Sequence, residues 1–460
     1  MITVKQKYIT IIPCILVLLI ITALGVINLK SYYEEILNST GLVHKDFYQK
    51  LKEENERAIE SDVAYQRMID YLLQDPEGDS EQSDDLTYPL TATEEDDTTA
   101  ENIKKPESLS LRANAALLLD AENNRVLFEK NGYKKLAMAS TTKIMTCIVA
   151  LENADPMGVV TVSSHAASMP DVQLNVRTGE QFYLGDLLYS LMLESHNDVA
   201  VAIAEHVGGS VEGFAAMMNK KAKELGCEDT NFVTPNGLDA EDHYTTARDL
   251  AVIASYAIKN QKFIDITNAS NHSFKEIKKG RGFTVSNKNR FLYMMDGAIG
   301  VKTGFTGDAG YCFVGAIKKS DRTLISVVLG CGWPPNKSLK WSDTKELMNY
   351  GIDNYEERQI FRDVDLEPVF VEDGQQKYEY LNMEGSLSLL MREDEHVKIV
   401  YQVPRSLKAP VKEGDLVGCA KYYIDEVLYA EVPIYTTTAI AKINYPYCLK
   451  EILKMWGAEY

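Results

Sequence analysis

The sequence predicts an α+β fold: an antiparallel sheet covered by helices, followed by a small all-β sandwich, with an N-terminal transmembrane helix. Three observations carry that expectation. Alternating apolar strands stand at both ends of residues 107–362, with helical periodicity between them. After about residue 363 the helical period disappears, and short strands are punctuated by Gly, Pro and acidic turns. Residues 8–29 form an apolar run without a charged side chain.

In chain order, that run comes first. At 1.5 Å per residue it spans about 33 Å, enough for a bilayer core. Lys5 and Lys7 precede it, so the positive flank places the N-terminus inside and everything after it outside. Residues 1–30 are therefore an anchor or a signal segment; Ala23-Leu24-Gly25 resembles a signal-peptidase site, but the apolar run continues past it. Residues 31–106 read as a helical stalk and an acidic disordered linker. Leu51, Ala58, Tyr65 and Leu72 recur by sevens, as a coiled-coil stalk or a lone solvated helix. Residues 75–99 hold ten acidic residues and no basic one, too much charge and too little apolar surface to offset ordering entropy.

Residues 107–362 open with a hairpin at 114–132 that turns at Asn123-Asn124. A helix starting near 140 is apolar nearly all the way round, the mark of burial. Residues 184–226 give three helical stretches, the last closed by Gly226. Strands follow at about 297–303, 311–318 and 323–330, then a helix at about 343–355 with an Asp343…Glu346 capping box. Residues 363–440 form the sandwich. In the tail, 441–460, a short amphipathic helix would carry Leu449, Ile452, Leu453 and Trp456 on one side, for a membrane or for packing.

The net charge of −19 excludes nucleic acid, whose phosphates need a basic surface. Seven cysteines are scattered at 14, 147, 227, 312, 331, 419 and 448 without C-x-x-C spacing, so neither a zinc site nor a disulfide framework is expected. Cys312 and Cys331 fall on neighbouring strands, either paired or as small buried apolar residues.

Three short motifs carry chemistry. In Ser140-Thr141-Thr142-Lys143, positions i and i+3 share a helix face. Ser140 is either an N-cap or a nucleophile, and Lys143 either snorkels or serves as its base. Burial strips a lysine of proton affinity, and a neutral lysine can take a serine proton. S-x-x-K alone turns up about once or twice by chance in a chain this long. Ser342-Asp343-Thr344-Lys345 is a second copy, read as capping and surface charge. Ser195-His196-Asn197 breaks two apolar helical runs, and on its own reads as an inter-helix loop capped by Asn197. Lys302-Thr303-Gly304 ends a strand among glycines, and K-T-G is expected in only about one chain of this size in ten. Order and separation of all three make coincidence untenable.

These motifs resemble the penicillin-recognising serine enzymes with a β-lactamase/transpeptidase-like domain, and within them the D-alanyl-D-alanine carboxypeptidases, the low-molecular-mass penicillin-binding proteins of the S11 type. The phrases 195–226, 234–251, 286–289 and 300–316 narrow it so, and the resemblance covers about 108–440. It implies that Ser140 attacks the D-Ala-D-Ala carbonyl and forms an acyl-enzyme, with Lys143 as base. Ser195 would relay a proton to the leaving amine, and Asn197 would hold Lys143 and the substrate amide. Lys302 and Thr303 would bind the terminal carboxylate, Gly304 would admit the substrate to the strand edge, and the amides of Ser140 and Phe305 would form the oxyanion hole. It implies no cofactor and no metal. The implied partners are a peptidoglycan pentapeptide ending in D-Ala-D-Ala, β-lactams as covalent inhibitors, and the membrane, with the catalytic domain on its extracytoplasmic side.

Two departures stand out. His196 replaces a residue that is often small in relatives, and reads as a solvent-facing loop side chain. Relatives place an arginine after the last strand, near the substrate carboxylate, where this chain offers Lys337 and Lys340. Asn287 and Asn289 match a family N-x-N with a supporting role. A class A β-lactamase shares the three motifs but needs a deacylating glutamate, and 231–244 holds no E-x-x-x-N. A membrane-tethered sensor without turnover is the rival from another class; Met1–Lys7 leaves it little cytoplasmic chain for signalling.

Overall fold

In a computed structural model the described residues are 93–95, by backbone alone, 109–319 and 322–455. The apolar run at 8–29, the stalk helix, most of the acidic linker and Trp456 lie outside them. Among the described residues no helix is long and apolar enough to cross a membrane. They fall into two compact units: 109–361 with 386–395, and 93–95 with 362–385 and 396–455.

The first unit is built on β1 (Ala115–Asp120), β2 (Arg125–Lys130), β3 (Ala298–Thr306), β4 (Gly310–Lys319) and β5 (Arg322–Leu329). The order is β2-β1-β5-β4-β3, antiparallel throughout. The hairpin turns where expected, with Asn124 at φ +59, a left-handed conformation that asparagine tolerates. Both faces of the sheet are covered, which the period-2 rule makes visible along β1. Ala115, Leu117 and Leu119 enter the larger core, while Ala116 and Leu118 enter a second one.

The larger core is filled by α1 (Lys143–Asn153), α2 (Leu184–Leu193), α3 (Asn197–Gly208), α4 (Val211–Glu224), α5 (Ala247–Ile258) and α6 (Gln261–Asn268). Every residue of α1 from Lys143 to Ala150 is buried. Helices α5 and α6 have no counterpart in the sequence reading, although Thr246 caps the Asp249 amide as a capping pattern would announce.

Helix α7 (Leu339–Asn354) covers the other face and corrects the capping box. It starts four residues early, so Asp343 is interior and buried, and it accepts from the backbone amides of Arg112 (2.7 Å) and Ala113 (2.8 Å) instead. Those two unpaired amides attract a carboxylate more strongly than the helix start does. Lys345 is exposed as expected.

Glu356–Gln359 pairs with Ser388–Met391, so part of the 363–440 span belongs to the first unit. Arg125 binds it there: its guanidinium donates to the Leu390 carbonyl and sits 2.6 Å from Glu395, both side chains about as buried as the core. Arg125→Met is expected to destabilise by about 3 kcal/mol, because it removes the nearer of two guanidinium groups from the buried Glu395 carboxylate and leaves it Arg392 at 3.5 Å. The check is a thermal or urea melt, with Arg125→Lys intermediate.

The second unit is built on two β-sheets, as expected, with a helix in its tail. One sheet runs Thr93–Glu95, Val397–Gln402, Leu416–Ile424, Val427–Thr436, Leu381–Asn382; the other holds Tyr378–Glu379, Val369–Glu372 and Ser406–Lys408. Thr93–Glu95 corrects the disordered-linker reading for those three residues. Without them Val397–Gln402 would be an edge with a row of unpaired backbone groups, and an edge recruits whatever strand is tethered nearby. The tail helix forms over Tyr445–Met455, and none of its side chains is buried.

Candidate active site

The turn that carries Ser140 precedes α1. Residues Ala139–Thr142 make one 3-10 turn in which Ala139 has φ +49. Ser140 makes no capping hydrogen bond, which removes the N-cap reading. Its Oγ lies 2.9 Å from Lys143 Nζ instead. Lys143 is fully buried, and its Nζ also contacts Asn197 Oδ1 (2.8 Å) and the Asn236 carbonyl (2.5 Å). Burial, and then the nearby charge of Lys302, hold its pKa well below that of a free lysine.

The three contacts assign the lone pair. A neutral amine has two N–H groups and one lone pair; Asn197 Oδ1 and the Asn236 carbonyl can only accept. When Lys143 is neutral its two protons go to them and the lone pair faces the Ser140 hydroxyl; when it is protonated, Nζ donates to Ser140 Oγ instead. That is the geometry of a general base beside its nucleophile.

Ser195 sits between α2 and α3 with φ +69, and its buried Oγ has no hydrogen-bond partner. A buried hydroxyl without a partner costs free energy unless a ligand completes it. Asn197, the first residue of α3, turns its side chain to Lys143 rather than capping the helix. His196 corrects the solvent-facing reading: it is 4 % exposed, with Nδ1 2.7 Å from Ser190 Oγ and Nε2 3.4 Å from Glu194 Oε2. The left-handed backbone at Ser195 turns the next side chain inward against α2. Burial pushes the imidazole pKa down despite Asp198 and Glu194, so the ring is held neutral.

Strand β3 brings the third motif alongside. Gly304 packs on the Ser140 turn so closely that a Cβ there would stand 3.0 Å from the Ser140 amide nitrogen. A side chain would block the approach of strand to turn. Thr303 is half-buried and Phe305 exposed, its ring tilted against Tyr311 with centroids 4.6 Å apart. Lys302 is buried, and Nζ donates to the Thr303 carbonyl (3.0 Å). Burial, with the charge of Lys340, pushes its pKa down to about 7.

Of the two lysines offered in place of the family's arginine, Lys337 is exposed. Lys340 is buried, stacked on Tyr311 (4.7 Å) and Trp341 (5.1 Å), and near enough to act on Lys302. Asn287 donates to the carbonyls of Thr267 and Ala269 (both 2.9 Å) and accepts from the Asn289 amide, a supporting role as expected.

Cys312 and Cys331 are free buried thiols. Cys331 Sγ turns to Asp343 (3.2 Å), and Cys312 Sγ to the carbonyls of Ala309 and Ala137. Among the described residues no group of His, Cys, Asp and Glu has the arrangement of a metal site.

Known proteins similar to this chain give its family. A family model described as D-alanyl-D-alanine carboxypeptidase matches residues 100–332, and one described as the C-terminal domain of penicillin-binding protein 5 matches 355–442. The D-alanyl-D-alanine carboxypeptidase DacF of Bacillus subtilis is 32% identical over 362 residues, 77% of this chain and 92% of that one. The D-alanyl-D-alanine carboxypeptidase DacC of Escherichia coli is 30% identical, covering 69% and 82%. Among solved structures, penicillin-binding protein 5 of Haemophilus influenzae superposes with TM-score 0.62 at 25% identity, over 74% of this chain and all of that one. The DD-transpeptidase of Streptomyces K15 superposes with TM-score 0.51 at 31% identity, over 55% of this chain and all of that one. The chain belongs to the D-alanyl-D-alanine carboxypeptidase family of serine peptidases.

Proposed function

We propose that the chain is an exported, membrane-tethered serine D-Ala-D-Ala carboxypeptidase that removes the terminal D-alanine from peptidoglycan stem peptides through an acyl-enzyme on Ser140. One observation carries the reading: a buried lysine whose only acceptor-capable face meets the serine hydroxyl. Ser140 Oγ attacks the carbonyl between the two D-alanines as its proton passes to Lys143. The oxyanion forms against the amides of Ser140 and Phe305, about 3 kcal/mol per donor. Ser195 Oγ passes a proton to the departing amine, and water then releases the shortened peptide. Lys302, with Lys340 behind it, receives the terminal carboxylate, and Thr303 completes that contact.

The membrane tether rests on the apolar run at 8–29 with its lysine flank, which supports an extracytoplasmic catalytic unit. The lack of an E-x-x-x-N in 231–244 favours a persistent acyl-enzyme over β-lactam destruction. The test is release of free D-alanine from a diacylated Lys-D-Ala-D-Ala peptide; no release by the wild type would refute the reading. A benzylpenicillin hydrolysis assay separates it from the β-lactamase.

Carboxylate capture by a lysine of pKa about 7 makes binding pH-dependent. The cation is present below that value and lost above it, so KM for the peptide is expected to rise as pH passes upward through about 7. Lys302→Ala should raise KM about 30-fold at pH 6, equivalent to about 2 kcal/mol, and flatten its pH profile. Steady-state kinetics from pH 5.5 to 9 check both.

A further inference from the structure

Residues 231–245 form a loop whose role the motif reading leaves open. Its base is zipped by paired backbone hydrogen bonds, Asn231 with Tyr244 (2.9 and 3.1 Å) and Leu136 with Thr245 (2.9 and 3.0 Å). The interior of the loop meets the start of α1 repeatedly. The Asn236 carbonyl takes a proton of Lys143, the Pro235 carbonyl accepts from Thr146 Oγ1 (2.6 Å), and Gly237 lies against the Ala139 carbonyl. At Gly237, with φ +80, a Cβ would stand 2.0 Å from that oxygen.

His243 closes the loop, and its proton position is fixed by its neighbours. Nδ1 faces the backbone amides of Val233 (2.9 Å) and Thr234 (3.3 Å), both of which can only donate, so Nδ1 accepts and Nε2 carries the hydrogen. That hydrogen goes to Thr142 Oγ1 (2.9 Å). The Thr142 hydroxyl in turn gives its own proton to the Ala139 carbonyl (2.8 Å). The imidazole is 5 % exposed, and burial pushes its pKa down to about 4, so it is neutral wherever cell-wall chemistry runs.

The relay ends on the one backbone group that most needs fixing. Ala139 is a non-glycine residue at φ +49, a conformation that persists only when its surroundings over-determine it. Its peptide unit carries the Ser140 amide, the donor offered to the oxyanion. We infer that His243 is a positioning residue that acts through the Thr142 hydroxyl to hold the Ala139–Ser140 peptide in its catalytic orientation. It touches no reacting atom, and nothing in the S-x-x-K, S-x-N or K-T-G motifs points to it. The inference rests on the reading of Ser140 as nucleophile.

The two side chains of the relay make it testable. Thr142→Val removes the hydroxyl and keeps the shape, Thr142→Ser keeps the hydroxyl, and His243→Phe removes the donor while keeping a buried ring. Acylation by a fluorescent penicillin and D-alanine release are measured on the full chain, with Ser140→Ala alongside and melting curves for every variant. Thr142→Val is expected to lose about 10–100-fold in acylation rate and in kcat with KM within threefold of the wild type, since Lys302 and Thr303 are untouched. Thr142→Ser should stay within threefold of the wild type. Adding His243→Phe to Thr142→Val should cost less than in the wild-type background, because one relay cannot be broken twice. Thr142→Val at wild-type rates, or Thr142→Ser as impaired as Thr142→Val, overturns the relay. Full acylation of Ser140→Ala would instead overturn the nucleophile on which it rests.

Discussion

Ser140→Ala is expected to abolish covalent penicillin labelling and lower D-alanine release by about 10⁴-fold or more. The size follows from how the site is built. Ser140 Oγ is the hydroxyl that faces the Lys143 lone pair, while that base is otherwise engaged with Asn197 and Asn236. Without the hydroxyl the base has no nucleophile to activate. Binding and the oxyanion donors alone leave only a small residue of rate over water. The Ser195 hydroxyl cannot substitute, since it makes no hydrogen bond to Lys143. Ser140 is only half-buried, so the variant should melt within a degree or two of the wild type. Retained labelling in a folded variant would place the nucleophile elsewhere.

Lys143→Arg should be nearly as damaging, by about 10³-fold in acylation, although it keeps a long basic side chain. Arginine stays protonated and has no lone pair to offer the serine. Its planar fork also cannot reproduce two donations and one acceptance around a single nitrogen. The wild type and the variant should differ in pH dependence. Lys143 is held well below the ordinary lysine pKa by burial and Lys302, so its neutral, active form is available at lower pH than in water. Wild-type acylation should fall as pH drops through that lowered value, and the variant should show no recovery on raising pH towards 10. Stopped-flow acylation rates between pH 5 and 10 supply the check; an arginine variant within tenfold of the wild type would rule out the base.

Much of this was legible in the sequence, for identifiable reasons. The hairpin at 114–132, the three helices over 184–226 and the three late strands follow local rules: a turn asparagine, Gly226, period-2 alternation. The candidate site was legible because S-x-x-K, S-x-N and K-T-G recur together. What stayed hidden depends on contacts far apart in sequence. Asp343 reads as a helix cap, yet unpaired amides 231 and 230 residues away claim it. His196 reads as exposed because a polar residue in a polar loop gives no sign of the Ser190 hydroxyl beneath it. His243 has no local signature, since its importance lies in Thr142, 101 residues earlier. Lys340 stands with Lys337 where an arginine is expected, and only in three dimensions does its tie to Lys302 set it apart.

The central claim, an acyl-enzyme on Ser140 activated by Lys143, is tested most directly by mapping the adduct. The full chain is incubated with benzylpenicillin, and the acylated peptide is located by mass spectrometry after proteolysis. The account predicts a single adduct on Ser140 that outlasts minutes of incubation, absent from Ser140→Ala and slow to form in Lys143→Arg. An adduct on another residue, or free penicilloate accumulating with no adduct, would contradict it.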